Sequence, residues 1–215
     1  MRLSGSIVWL VSDQPELAQM HIDKLEWSAP EGSFHLQHWW QIEARGELAL
    51  YRGDIARAEE ELAPLFAGFQ ASLLMRLQLV RIHYVWLRAR MALAGGGADG
   101  PARATRAARK LAREGTKQAR VYARLLRAGV HARQRRPDAA LTALRRVIEV
   151  AEGPDLLLYA NIARRREGEL LGGRAGETAI AQADVFFEQE GAANPARLVA
   201  MFTPGFPDDS SQGAA

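Results

Sequence analysis

Apolar residues recur along this chain at three- and four-residue intervals in long blocks, and no segment alternates cleanly in the manner of a half-buried strand. Breaks rich in Gly, Pro, Ser and Asp separate the blocks at 13–15, 28–33, 53–54, 68–72, 95–101, 114–116, 136–137, 153–154, 172–173 and 191–195. The pattern predicts about ten helices, with coarse limits at 3–11, 15–27, 34–52, 55–69, 73–94, 102–113, 117–134, 138–152, 155–171 and 176–190. Asn194 reads as an N-cap and Pro195 as the first residue of a further short helix carrying Leu198, Val199, Met201 and Phe202, expected to fold over the last repeat.

Taken two at a time, the helices form hairpins at 3–27, 34–69, 73–113, 117–152 and 155–190, with a cap at 195–202. Ala18, Ala58 and Ala140 fall at equivalent places in the second helix of their hairpins, 40 and then 82 residues apart, which implies a repeated unit of about 41. Gly46, the turn Gly53-Asp54, Ala58 and Leu62 have the relative spacing of a tetratricopeptide repeat, whose usual length is about 34. Small residues at 46 and 58 let helices approach closely, and the Gly-Asp turn supplies a C-cap followed by an N-cap. The fold class that follows is all-α: a right-handed solenoid of about five tetratricopeptide-like hairpins over residues 1–206, with a polar, disordered tail at 207–215.

Within 73–94, Leu74, Leu77, Val80, Tyr84, Leu87 and Met91 form one stripe while Leu73, Met75, Leu79, Ile82, Trp86 and Leu93 cover other faces. A helix apolar nearly all round is packed on several sides, as a central helix of a stack is.

Composition narrows the function classes. The 215 residues, 48% apolar and 25% charged, suffice for a sizeable core, and the absence of cysteine excludes disulfides, zinc ribbons and thiol chemistry. Residues 1–11 make no signal peptide and no run reaches the roughly 20 apolar residues of a membrane span, so the expected location is the cytoplasm, off the membrane. The net charge is only +3, yet residues 103–136 hold twelve Lys or Arg against the single acid Glu114. Three readings fit that stretch: a solvated face balanced by acidic neighbours, a surface for an acidic protein or peptide, or a nucleic-acid surface, the least favoured because no aromatic residues interleave with the basic ones.

Several segments together resemble the C-terminal helical-repeat region of large multidomain bacterial serine/threonine protein kinases: Phe34-His35-Leu36-Gln37-His38-Trp39-Trp40, Leu50-Tyr51-Arg52-Gly53-Asp54, Ser72 to Gln78, Gly168 to Gly173, Asn194-Pro195-Ala196-Arg197 and Pro204-Gly205-Phe206. The resemblance spans almost the whole chain and implies a protein-interaction scaffold or sensor module. Kinase activity does not carry over, because the Gly-rich loop, the His-Arg-Asp loop and Asp-Phe-Gly are all missing. The alternative is a regulatory module of a nucleic-acid-binding or ATP-dependent transcription regulator using the Arg-rich 103–136 surface. The first repeat begins inside a helix, so apolar surface around Ile7, Val8 and Trp9 is expected to drive self-association.

The remaining motifs argue against an enzyme. Gly95 to Gly100 satisfies the dinucleotide fingerprint in letters only, since a helix rather than a strand precedes it, and reads as a linker. His35 and His38 lack a third ligand at diagnostic spacing and suit helix-start hydrogen bonding; His83 sits in an apolar stretch as a core histidine. Glu59-Glu60-Glu61 reads as a solvated face. No nucleophile elbow or phosphate loop is present, so catalytic residues, cofactors and metals are expected to be none. Trp39 and Trp40 point about 100° apart, one into the core and the other toward a groove. The candidate partner-binding residues are Gln37, Trp40, Gln41, Arg45, Arg81, Arg88, Arg120, Arg124 and Arg127, facing a protein or peptide, possibly acidic in character.

Overall fold

The computed structural model describes residues 6–24, 34–151 and 153–207. Among them lie eleven α-helices and no strand: α1 Ser6–Val11, α2 Pro15–Asp23, α3 Leu36–Arg52, α4 Ile55–Ala71, α5 Gln78–Ala94, α6 Gly100–Ala112, α7 Lys117–Arg133, α8 Pro137–Val150, α9 Leu157–Leu171, α10 Gly173–Gln189 and α11 Pro195–Phe202. The expected helix onset at Leu3, the loop at 28–33 and the tail beyond Pro207 lie outside the described residues.

Local chemistry sets most boundaries. Prolines open α2, α8 and α11, where the missing N–H is not needed. Thr116 Oγ accepts from the Ala119 amide at 3.1 Å, and Asn194 Oδ1 from the Arg197 amide at 3.1 Å, so both cap as their sequence implies. Gly53 ends α3 in the left-handed region, φ 83°, donating to Ala49 O. Asp54 follows at the N-cap position of α4 but makes no side-chain cap bond.

Consecutive helices pack in adjacent pairs, α1 on α2, α3 on α4, α5 on α6, α7 on α8 and α9 on α10, and each pair leans on the next. Gly46 is one reason α3 and α5 come close: a Cβ there would sit 2.9 Å from Leu87 Cδ2. Helix 73–94 is not continuous. Ser72 Oγ accepts from the Leu74 amide and donates to Phe69 O, winding Leu73–Arg76 into a 3₁₀ turn, and extended Leu77 separates that turn from α5. All-round burial therefore holds only from Ile82 onward, and Leu73, Leu77 and Leu79 are 71%, 52% and 63% exposed.

The last helix does more than cover the final pair. It packs on α9 and α10 and also on α3, with Leu198, Val199, Met201 and Phe202 all buried. Two buried arginines hold the end of α11 and the strap that continues from it. Arg90 Nη1 donates to Met201 O at 3.4 Å, and Arg166 donates through Nε to Thr203 Oγ1 at 3.0 Å. Four apolar side chains, each contributing about 1.5–3 kcal/mol, make this a permanent part of the core.

At the other end of α11 the chain returns to its first turn. Asp13 Oδ1 accepts from Tyr51 Oη at 2.7 Å and from Arg197 Nη1 at 3.2 Å, while its Oδ2 accepts from Asn194 Nδ2 at 3.1 Å. The Ala193 amide donates to Val11 O at 2.9 Å. Of the apolar residues expected to be exposed here, only Val8 is; Ile7 and Trp9 are half-buried.

The Tyr51 hydroxyl, chiefly, and then Asn194 and Arg197 hold the Asp13 carboxyl below its ordinary value against the opposing effect of burial. A depressed folded value means stability that is present above the unfolded value of about 4 and is lost as pH falls through the folded one. Asp13 also has φ 52°, a conformation asparagine tolerates, so Asp13→Asn removes the charge and spares the backbone. The variant is expected to lose about 2 kcal/mol at neutral pH, with the difference from the parent closing below about pH 4. Urea unfolding at several pH values reads this out; a pH-independent difference contradicts it.

Candidate functional site

The odd-numbered helices share one feature. Side chains from α1, α3, α5, α7, α9 and α11 line a single cavity of about 440 Å³, to which no even-numbered helix contributes. On α3 the lining residues Leu36, Trp39, Trp40, Glu43 and Glu47 follow helical spacing, and on α5 so do Val80, His83, Trp86 and Arg90. Tyr122, Tyr159 and Phe202 complete the aromatic wall.

The rings pack against one another. Trp86 and Tyr122 stack at 4.5 Å and 10°, Tyr159 meets Tyr122 edge-on, and Phe202 meets Tyr159 at 6.1 Å. Trp39 is buried against Phe69 and Tyr84 and Trp40 is half-buried, yet both contribute to the cavity wall, so the expected division into one core and one groove tryptophan is incomplete.

The charged and hydroxyl groups of the wall pair with one another or with neighbouring elements, except that Arg90 Nε is buried without a hydrogen-bond partner. Arg90, 1% exposed, binds Glu47 through both terminal nitrogens, at 2.9 and 2.5 Å, and lies 4.8 Å over the Trp86 ring. His83 Nδ1 lies 3.2 Å from Glu43 Oε1, and its Nε2 lies 3.4 Å from Gln118 Nε2. A proton on Nδ1 faces the Glu43 carboxylate. Gln118 also donates to Tyr122 Oη, which shares a 2.8 Å hydrogen bond with Tyr159 Oη. Burial pushes both phenols up, so they stay protonated near neutral pH. The result is an apolar, aromatic hollow with internally paired polar groups, suited to holding a side chain or small apolar body.

The sequence-derived candidates fall elsewhere, except Trp40. Taking the cavity-lining residues of each helix as reference, Gln37, Gln41 and Arg45 lie about 90–180° round α3, and Arg81 and Arg88 lie about 150–170° round α5. Arg45 lines a separate small hollow with Gln19, Arg52 and Arg57. Arg81 pairs with Glu114 at 2.8 Å, and Arg88 pairs with Glu59 at 2.7 Å while lying 3.9 Å over Phe66. Arg120, Arg124 and Arg127 occupy the face of α7 opposite Tyr122.

Sequence reasoning passed over Glu43, Glu47, Arg90 and Tyr159 and took His83 for a core residue; it is half-buried and bound to Glu43. The only signal for them is their three- and four-residue spacing from the tryptophans. His38 Nδ1 accepts from the His35 amide at 2.9 Å, the helix-start bond expected of that pair. Among the described residues no three His, Cys, Asp or Glu side chains group as metal ligands, and no helix is long and apolar enough to cross a membrane. Gly95 to Asp99 joins two helices. No family model, curated protein or solved structure matches this chain.

Proposed function

We propose that the chain is a non-catalytic binding module, a right-handed solenoid of about five tetratricopeptide-like hairpins that receives an apolar or aromatic side chain of a cytoplasmic protein partner in the inner cavity. The observation that carries this reading is the convergence of all the odd-numbered helices on one aromatic hollow. Repeat proteins recognise partners on the surface their inner helices share, and a desolvated apolar pocket is where an anchor residue gains most. Exposed Leu77 and Leu79 extend the apolar surface along the start of α5. The resemblance to the repeat region of bacterial signalling kinases agrees with such a role and gives it a regulatory setting.

A peptide library selected on the immobilised protein tests the proposal. Val80 lines the cavity and is half-buried, so Val80→Trp fills the hollow with little disturbance of the core. Selected peptides should carry a large apolar anchor and bind Val80→Trp about tenfold or more weakly, with an unchanged melting temperature. Peptides that bind both proteins equally contradict the assignment.

A further inference from the structure

The basic segment calls for its own account, because the cavity uses none of its charges. Arg120, Arg124 and Arg127 run along α7 on the side turned away from Tyr122 and Gly129, which face the cavity wall and the C-terminal strap. Among the described residues, the nearby carboxylates are engaged with other partners. The Glu114 carboxylate is held by both nitrogens of the Arg81 fork. Glu149 of α8, whose charge acts on Arg124, is bonded to Arg146 at 2.9 Å. Across α6, Arg103, Arg106 and Lys110 line a hollow of about 430 Å³ that contains no carboxylate at all.

Two nitrogen atoms on the α7 stripe are buried without a hydrogen-bond partner, Arg124 Nη1 and His131 Nδ1. A buried guanidinium nitrogen lacking an acceptor is costly, and buried polar atoms in folded proteins are nearly always paired. Burial first, then Arg120, Arg127 and Arg146, hold the Arg124 guanidinium below its ordinary value, so the free protein carries uncompensated positive charge there.

We propose that this stripe, with Arg146 beside it, docks an acidic helical segment of a protein partner whose carboxylates repeat at three- and four-residue intervals. Arg120, Arg124 and Arg127 are separated along α7 by rises of about 6 and 4.5 Å, which a helix lying parallel to α7 with carboxylates at the same intervals matches one for one. The forked guanidinium pairs with a carboxylate through two hydrogen bonds, and the partly exposed Arg124 and exposed Arg120 and Arg127 present such forks along one face. Tyr122, the aromatic ring of this helix, is buried on the opposite side, so the stripe offers no platform for stacking a base.

The test uses the full chain and three fluorescent probes: an alanine-based helical peptide with glutamates at i, i+4 and i+7, the same composition with the glutamates spread round the helix, and a short DNA duplex. Anisotropy titrations at low salt should show the patterned peptide binding about tenfold more tightly than the scrambled one, with affinity falling as salt rises. Arg124→Met should weaken that binding about tenfold and, by removing an unpartnered charge, raise the melting temperature by about 2–4 °C. Arg120→Gln, at an exposed position, should weaken binding with the melting temperature unchanged. Equal binding of the two peptides, or the absence of peptide binding, overturns the proposal. Tighter binding of the duplex than of the patterned peptide also overturns it and makes the surface one for nucleic acid.

Discussion

Replacing Arg90 with alanine is expected to cost about 4 kcal/mol, among the largest effects any single substitution produces here. The guanidinium is buried, grips Glu47 with two hydrogen bonds, reaches Met201 O, and fills the space between the Trp86 and Phe202 rings, 4.8 and 5.5 Å from their centres. Alanine leaves the Glu47 carboxylate, 15% exposed, without its cation and opens a void beneath the strap. Lysine does not restore the pair, because a point charge cannot reproduce the two-pronged contact. The double variant Arg90→Met with Glu47→Leu removes both charges and retains bulk, and should recover most of the loss. Denaturant unfolding of the three proteins decides the matter; an Arg90→Ala protein within about 1 kcal/mol of the parent would mean that the pair is dispensable.

Gly129→Ala is the second large effect, and its sign is the informative part. In an isolated helix this substitution is favourable by about 1 kcal/mol. Here the strap crosses α7 backbone to backbone: a Cβ at 129 would lie 2.3 Å from Pro204 O, and a Cβ on Gly205, at φ 99°, would lie 2.6 Å from Gly129 O. Neither carbonyl can yield as a side chain would, so the strap must lift from α7. The expected result is a loss of about 2–3 kcal/mol, with faster amide exchange concentrated in α11. Gly97→Ala is the matched control, since its nearest neighbour, Asp99 Oδ1, is 3.4 Å away, and it should change stability by less than about 0.5 kcal/mol. Comparable stability of Gly129→Ala and the parent would refute the tight crossing.

Much of the architecture can be read from the chain because its punctuation is local. Pro15, Pro137 and Pro195 open helices, Asn194 and Thr116 cap them, and Gly53 closes one, each through contacts within a few residues. The site is less legible, and for a definite reason. Helices α3, α5 and α7 are buried along two sides, so periodicity shows apolar stripes without saying which one faces the cavity. Reading polar side chains as the recognition surface selects Gln37, Arg45, Arg81 and Arg88, which lie on the other side, where Arg81 and Arg88 pair with Glu114 and Glu59. The groups that do line the cavity are aliphatic, aromatic, or polar and bonded to one another, and Arg90 is indistinguishable in sequence from a solvated arginine. Its partner stands 43 residues away. The 3₁₀ break before α5 is likewise set by one serine hydroxyl, a contact with no periodic trace.

The bond from Ala193 to Val11, with Asp13 and Arg197 beside it, bears on how the molecule comes apart. Linear repeat arrays fray, since each unit touches only its neighbours and a terminal one can melt alone. Here the opening turn is clasped by the start of the closing helix, so neither can loosen without releasing the other. Unfolding becomes concerted, and the inner hollow keeps a fixed shape until the whole assembly gives way.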